Sequence, residues 1–479
     1  MKKTGIKYIL ESMQGAKLIS DAGAEEVTSV AIDSRQVKAG TLFFAVIGER
    51  NDGHDFLPVV RESGSRAVVV SNLDLGNKIA ESGDMTVILV DNTRDALMQL
   101  AKRYVADWSN LIKVAVTGSV GKTSTKDFLG AVLGARYKTG KTPGNLNSDY
   151  GVPLTVFGFD YDIEAAVIEM GAGESVHIRE LADIVRPSIG VVTNVGTAHL
   201  EIFGTRDDLA KEKLDIAKYF TDKETVIVNS DCDMLTRKEV SKIAPSSAVV
   251  LTVGSGVDDN FAIYNIEDLG IDGVSCSLDV RVDDDKYDGT YKLNIPVVGA
   301  HNLGNAALAI AAGTRLGINP EDAIAALANT KFSSGRLEVD RRENLTIIND
   351  AYNASPESMK SGLGMLMASK ADRHVAILGD MFELGDDSES LHASVGIYAA
   401  HMGLELLITI GSNSEAIARA AKTASGAAKG KGVCVTNVIS YHDKETAINE
   451  INNILCEGDL ILVKASRGMK LEDVISAIK

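Results

Sequence analysis

Thr117-Gly118-Ser119-Val120-Gly121-Lys122-Thr123 follows the apolar run Leu111–Val116 and opens a stretch with helical spacing. A glycine-rich turn between a buried strand and a helix lets backbone N–H groups close around a phosphate. The helix N-terminus adds partial positive charge at the same point. Such a turn needs a buried parallel strand with a helix packed back on it, so it commits this part of the chain to an α/β sheet. Lys122 is expected to reach the β- and γ-phosphates of a nucleotide and the Thr123 hydroxyl to bind Mg²⁺. Gly118, Ser119, Val120, Gly121 and Ser124 supply the rest of the cradle. The run departs from G-x-x-x-x-G-K-T, because position 116 is Val and the turn is two residues shorter.

The surrounding pattern supports that placement. Buried-strand runs recur at Ala165–Glu169, Gly190–Asn194 and Thr225–Asn229, with helical stretches between them. Residues 250–298 are strand-rich, with a charged turn at Asp283–Lys286, and Asn302–Leu316 reads as an alanine-rich helix. Before the phosphate loop, Val27–Ile32, Thr41–Ile47, Arg66–Val70 and Thr86–Val90 read as strands. A helix is expected near Asp55–Glu62 and another over Asp95–Trp108. Past Ser333–Gly335 the alternation restarts, with strands at Leu345–Ile348, Val375–Leu378, Leu406–Ile410, Val433–Val435 and Leu460–Val463 and a last helix near Leu471–Ile478. This part lacks G-x-G-x-x-G at its first strand–helix turn, so a doubly wound, Rossmann-like domain offering a substrate surface is expected. A chain of 479 residues exceeds one hydrophobic core. The expectation is α/β throughout, in three domains: 1–88, a central phosphate-loop parallel-sheet domain over 89–332, and 333–479.

Charge and composition remove several function classes. A formal net charge of −17 argues against a nucleic-acid backbone or an anionic membrane as partner. Met1–Ser20 opens on Lys2-Lys3 but holds no continuous apolar stretch, so no signal peptide is expected there. No apolar run is long enough to span a bilayer. The four cysteines (Cys232, Cys276, Cys434, Cys456) lie far apart without C-x-x-C spacing, so neither a zinc site nor a disulfide framework is expected. The cytosol is the expected compartment.

Other residues join the phosphate loop as candidates. Glu169 ends a strand and is followed by Met170-Gly171, which sets its carboxylate at the carboxyl edge of the sheet. His199 follows the strand Gly190–Asn194 by a short loop and should reach the same edge. Carboxylate and imidazole there suit magnesium bridging ATP oxygens, although each also reads as a capping or surface residue. On a helical wheel for Asp207–Phe220, Lys213 falls in the middle of the face formed by Leu209, Ile216, Ala217 and Phe220, while Lys211, Asp215 and Lys218 fall opposite. Either its amine is buried, with a depressed pKa, or its stem carries the amine out to water. His301-Asn302-x-x-Asn305 opens the alanine-rich helix. Asn302 and Asn305 share its first turn and could read an adenine edge, or Asn302 could simply cap the helix.

Together these residues resemble the Mur ligases, the peptide-bond-forming enzymes of peptidoglycan precursor synthesis. The likeness spans the chain through the phosphate loop, Glu169-Met170-Gly171, Asn194–Glu201, Lys213, His301–Asn305, Gly335-Arg336 and Asn349-Asp350. Within the family, Thr142–Asn147, Asp350–Met359, Leu378–Gly385 and Leu462–Met469 are similar to the member that adds D-alanyl-D-alanine to UDP-N-acetylmuramoyl-tripeptide. The D-N-P-R acceptor signature of the sister enzyme that adds the third residue is not found. A nucleotide-switch GTPase would want N-K-x-D downstream of the loop, and Asn77-Lys78 lies upstream without the Asp.

The resemblance implies an ADP-forming ligase acting through an acyl phosphate. It implies MgATP at Gly118–Ser124, Asn302, Asn305, Arg336 and Asp350, and two magnesium ions held through Thr123, Glu169, His199 and Lys213. Lys213 would carry a carbamate derived from CO₂, and Lys122, Glu169, His199 and Lys213 would be the catalytic set. It also implies Ser34, Arg35 and the Asp52–Asp55 region near the UDP-sugar, Asn145 at the substrate, and Asn353, Lys464 and Arg467 on the dipeptide side. The expected state is a monomer.

Overall fold

The computed structural model describes residues 1–48, 51–196, 200–282, 285–330, 332, 338–428 and 436–479. These form two compact units. One comprises Met1–Ile263, Leu278–Tyr291 and Gly304–Thr330, and the other Tyr264–Ser277, Lys292–Leu303 and Lys331–Lys479.

The first unit opens with a five-stranded sheet in the order Lys17–Ser20, Thr86–Leu89, Ala67–Val70, Thr41–Phe44, Ser29–Ala31. All its pairings are parallel except that of Lys17–Ser20 with Thr86–Leu89. The strand expected over Val27–Ile32 is divided, with Glu26–Val27 pairing Thr4–Gly5 and Ser29–Ala31 joining the larger sheet. The strand expected to run to Ile47 stops at Phe44, where the chain bends to receive Gly53. A Cβ on Gly53 would lie 2.6 Å from the Val46 nitrogen, so only glycine lets the two backbones approach so closely.

Helix Thr93–Ala106 is capped by Asn92, whose side chain accepts from the backbone N–H groups of Arg94 and Asp95. Its buried face (Leu97, Leu100, Tyr104) shares one apolar core with Leu42, Phe44, Val69 and Ile88 of the first sheet. Ala115, Ala166, Ile168 and Val192 bring the next sheet into the same core.

That next sheet has nine strands. In order they are Gly289–Ile295, Val274–Val280, Phe261–Asp268, Val249–Gly254, Thr225–Asn229, Ile189–Val192, Ile112–Thr117, Ala165–Glu169 and Thr139–Lys141. Pairing is parallel from Phe261–Asp268 to Thr139–Lys141. The far ends of its last three strands in sequence fall in the second unit. Of the charged turn Asp283–Lys286, Asp283 and Asp284 lie outside the described residues.

The second unit holds a six-stranded sheet in the order Glu338–Arg341, Thr346–Asp350, Asp459–Lys464, Arg373–Gly379, Leu406–Ile410, Asn437–Tyr441. It is parallel apart from the first pairing. Alternate residues of its strands serve two cores. Ile348, Ala376, Leu378, Leu407 and Leu462 meet helices Pro356–Ala368, Ser388–His401 and Glu415–Ala428. Ile347, Val375, Ile377, Ile408 and Val463 meet residues of Lys444–Glu450 and Glu472–Ala477. Helices on both faces make this sheet doubly wound. The strand expected at Val433–Val435 lies outside the described residues, and the edge strand is Asn437–Tyr441. Among the described residues no helix is long and apolar enough to cross a membrane.

Candidate functional site

Sheet register creates the site. Ile112–Thr117 lies between Ala165–Glu169 and Ile189–Val192, with Glu169 level with Val116 and Val192 level with Thr117. The phosphate loop, Glu169 and the Thr193-Asn194 pair therefore emerge together at the carboxyl edge, where ligands of open α/β sheets bind.

The loop's shape depends on its glycines. Gly118 has φ +147°, and a Cβ there would meet the Thr193 hydroxyl at 2.0 Å. Gly121 has φ +84° and directly precedes helix Lys122–Gly134; a Cβ there would meet Asn305 Oδ1 at 2.8 Å. The loop is braced from the next strand. Asn194 Oδ1 accepts from the N–H groups of Ser119 (3.0 Å) and Val120 (2.8 Å), and Gly196 N donates to Ser119 Oγ at 3.0 Å. Lys122 Nζ lies over the turn, donating to the carbonyls of Gly118 (2.7 Å) and Ser119 (3.2 Å). Asn305 Oδ1 accepts from Thr125 Oγ1 at 3.2 Å, so this asparagine packs against the loop and its helix.

Glu169 is 1% exposed. Its Oε1 accepts from Thr123 Oγ1 (3.2 Å) and Asn147 Nδ2 (2.8 Å), while Thr142 Oγ1 accepts from its backbone N–H at 2.9 Å. Its Oε2 is buried and accepts no hydrogen bond among the described residues; the nearest charge is Lys126 Nζ at 3.5 Å. Burial pushes the Lys126 pKa down, and the neighbouring Glu169 and Asp127 carboxylates act against that shift. A buried carboxylate oxygen left without a hydrogen bond, beside a threonine hydroxyl, fits a hard divalent cation that takes oxygen donors. Among the described residues no three His, Cys, Asp or Glu side chains gather into a metal cage.

Lys213 is 1% exposed, and no hydrogen-bond or ion-pair partner reaches its ammonium among the described residues. Burial, then the nearby Lys122 charge, lowers its pKa to about 8, with Glu212 opposing. The spacing argument thus finds its answer in a buried amine, and Lys211 is exposed. The local conformation differs from the single helix drawn on the wheel, because Arg206–Leu214 gives way to a 3₁₀ turn over Asp215–Ala217. Ile216, Ala217 and Phe220 stay buried through that change. Glu212 is buried beside Lys213 and accepts from Ile178 N (2.6 Å) and His177 Nδ1 (2.9 Å), which fixes this segment to the start of helix Ile178–Val185.

The remaining candidates have the following surroundings. Asn302 donates to the Val298 carbonyl at 2.8 Å. Lys464 is buried, its Nζ 2.5 Å from Asp350 Oδ2 and 2.9 Å from the Asn353 carbonyl. Arg467 bonds Tyr352 OH at 3.1 Å with its guanidinium 4.9 Å from that ring's centre. The Asn353 and Asn145 side chains are exposed. Ser34 begins a 3₁₀ turn capped by Asp33, and the Arg35 side chain, 87% exposed, pairs with that Asp33 at 2.7 Å. In the Asp52–Asp55 region Asp52 and His54 form a network, while Asp55 is exposed. His54 Nε2 accepts from Ser71 N and Asn72 N, so Nδ1 carries the proton and donates to Asp52 Oδ1 at 2.6 Å. His199 and Arg336 lie outside the described residues.

Lys126, Asn147 and Asn194 were given no role from sequence. Asn194 and Asn147 sit inside segments that carry the family resemblance, so position alone offered a signal. For Lys126 the signal was its place four residues after Lys122 on one helix face.

Three family models match the chain. Residues 26–105 match the family model described as "Mur ligase family, catalytic domain", residues 116–313 "Mur ligase middle domain" and residues 335–467 "Mur ligase, glutamate ligase domain". The UDP-N-acetylmuramoyl-tripeptide--D-alanyl-D-alanine ligase of Bacillus subtilis (strain 168) is 34% identical over 477 residues, covering 99% of this chain and 98% of that protein. A crystal structure of MurF from Acinetobacter baumannii superposes with a TM-score of 0.87 at 28% identity, covering 99% of this chain and 98% of that one. MurF ligase from Thermotoga maritima in complex with ADP superposes at 0.74 with 26% identity, over 94% of this chain and 97% of that one.

Proposed function

This chain belongs to the Mur ligase family, and from that premise we infer that it joins D-alanyl-D-alanine to UDP-N-acetylmuramoyl-tripeptide with conversion of ATP to ADP. The observation that carries the reading is the likeness, over 99% of the chain, to a ligase of that name. The braced phosphate loop beside the buried Glu169 supports it. The reaction belongs to peptidoglycan precursor synthesis, and we place the enzyme in the cytosol as a monomer.

The chemical difficulty is to bring a peptide carboxylate against the γ-phosphate, since the two anions repel. The carboxylate oxygen attacks phosphorus, ADP leaves, and an acyl phosphate results. The amine of D-alanyl-D-alanine then attacks the acyl carbon, the C–O bond to phosphate breaks, and the amine gives up a proton. Lys122 neutralises charge on the transferred phosphoryl group, and the loop N–H groups hold the other phosphates where they do not need to reorganise. The acyl phosphate is open to hydrolysis, so exclusion of water before the amine attacks is part of the chemistry.

Thr123 and Glu169, with His199 and a carbamate on Lys213, are the residues that would hold magnesium, which when bound offsets charge across the ATP oxygens. A neutral Lys213 amine can add CO₂, forming the N–C bond and releasing one proton. The lowered pKa supports that step by raising the neutral fraction. Asn302, Asn305, Arg336 and Asp350 are assigned to the nucleotide, Ser34 and Arg35 to the UDP-sugar, and Asn145 to the donor peptide. Asn353, Lys464 and Arg467 are assigned to the dipeptide, whose carboxylate suits a guanidinium.

The test is ADP release with each UDP-muramoyl peptide and amine acceptor in turn. The tripeptide with D-alanyl-D-alanine should drive turnover. Efficient turnover with the UDP-muramoyl-dipeptide and a free diamino acid, with none from D-alanyl-D-alanine, would transfer the chain to the sister activity.

A further inference from the structure

Lys126 lies one turn beyond Lys122 on helix Lys122–Gly134. Lysine is seldom fully buried unless paired, yet Lys126 is 0% exposed. Its Nζ donates to the Gly144 carbonyl at 2.9 Å and stands 3.5 Å from Glu169 Oε2. These two oxygens belong to different parts of the site. Glu169 ends the strand beside the phosphate loop. Gly144, with φ +52°, is at the tip of the Thr142–Asn147 segment, where Pro143, Gly144 and Asn145 are all exposed.

The flanks of that segment are fixed independently. Thr142 N donates to Val167 O, Thr142 Oγ1 accepts from Glu169 N, and Asn147 Nδ2 reaches Glu169 Oε1. Backbone bonds near the tip are local, Leu146 N to Pro143 O and Asn147 N to Asn145 O. Leu146 O accepts from Thr155 Oγ1 of helix Gly151–Gly158 at 3.2 Å, and the bond from Gly144 to helix Lys122–Gly134 comes from Lys126.

We propose that Lys126 is a positioning residue that ties the tip of the Thr142–Asn147 loop to the Glu169 carboxylate, holding the donor-binding loop in register with the phosphate site. An ammonium is a compact charge with three donors on a long stem, so it can serve a carbonyl and a carboxylate together from inside the fold. A buried cation is tolerated only while its oxygens stay close. Displacing the loop tip therefore weakens the hold on the carboxylate, and displacing the carboxylate weakens the hold on the tip. The loop's role toward the donor rests on the ligase reading above; the tether does not.

Amide hydrogen exchange on the full-length protein tests the tether directly, and steady-state kinetics test its purpose. In Lys126→Met, exchange in residues 142–147 should quicken roughly ten-fold or more, while strand Ile112–Thr117 and helix Lys122–Gly134 keep their protection. Lys126→Arg should restore part of the loop's protection. KM for the UDP-muramoyl-tripeptide should rise in Lys126→Met while KM for D-alanyl-D-alanine holds. Unchanged exchange in the loop overturns the tether. Faster loop exchange with an unaltered donor KM overturns the positioning role. If the methionine variant loses protection throughout its sheet, Lys126→Gln takes its place and the same two results decide. Wild-type protein that never turns over the tripeptide would refute the ligase reading and leave the exchange result to judge the tether alone.

Discussion

Replacing Lys213 by methionine should make the ligand-free protein more stable at neutral pH while abolishing its activity. Burial and the Lys122 charge lower the Lys213 pKa from the ordinary lysine value of 10.5 to about 8. A tenfold change in proton affinity corresponds to about 1.4 kcal/mol, so holding the ammonium charged at this position costs about 3 kcal/mol. Methionine matches the stem in length and helix propensity and carries no charge. The gain applies to the first compact unit, on the order of 300 residues, where it corresponds to a rise in Tm of about 5 °C.

The pH dependence carries the sign. Below about pH 8 both folded and unfolded chains bind the proton, and the wild type bears the full cost of a buried charge. Between about 8 and 10.5 the unfolded chain still binds the proton and the folded one does not, so wild-type stability rises with pH through that window. The advantage of Lys213→Met should therefore be full at pH 7 and much reduced by about pH 9.5. Thermal melts in bicarbonate-free buffer across that range measure it. Equal stability at pH 7, or a gain that does not shrink as pH rises, refutes the reasoning.

Lys122→Ala should lose turnover by roughly 10³-fold or more with the fold intact by melting, because it removes charge stabilisation at the transferred phosphoryl group. Near-normal turnover would put ATP elsewhere. Gly121→Ala must hold φ +84° and press a methyl against Asn305 Oδ1 at 2.8 Å. It should cost about 1–3 kcal/mol in stability and weaken ADP binding by calorimetry, and unchanged affinity would mean the loop does not need its left-handed turn. Lys213→Ala should be nearly inactive and partly restored by acetate, whereas exposed Lys211→Ala should stay close to wild type. Full activity of Lys213→Arg, which cannot take up CO₂, would end the carbamate reading.

Legibility in the sequence followed the range of the interactions. The phosphate loop and Glu169 could be read because each is defined by a strand and the two or three residues that follow it. The place of Lys213 on an apolar face could be read because helical spacing survives even where the helix tightens after Leu214, but the burial of its amine could not, since a long stem can carry the charge to water. Lys126, Asn147 and Asn194 could not be given roles. Their partners are Glu169 and Gly144, Glu169 again, and Ser119 with Val120. Each pairing follows from strand order, which sets Ala165–Glu169 between Thr139–Lys141 and Ile112–Thr117 and joins Ile112–Thr117 to Ile189–Val192, and which no local pattern prints. The same limit explains Asp52–Asp55. Polar residues in a loop look alike from sequence, and only the approach of Ser71 and Asn72 to His54 shows that this histidine and its partner Asp52 are engaged.

The electrostatics of the site run against those of the chain. A protein of net charge −17 sets the buried Lys126 beside Glu169 and brings Lys122 close enough to the buried Lys213 to lower its pKa. Long-range repulsion of an anionic substrate by the surface is screened within about 8 Å at physiological ionic strength. The buried cations act in a low dielectric, where they are screened much less. Their mutual repulsion, seen in the effect of Lys122 on Lys213, is a cost that anions relieve. On the function proposed above, phosphates at the loop and a carbamate on Lys213 would both add negative charge at that point. On that reading the buried charge that costs stability in the ligand-free protein is relieved when Lys213 becomes a carbamate, which is why Lys213→Met should improve stability as it removes activity.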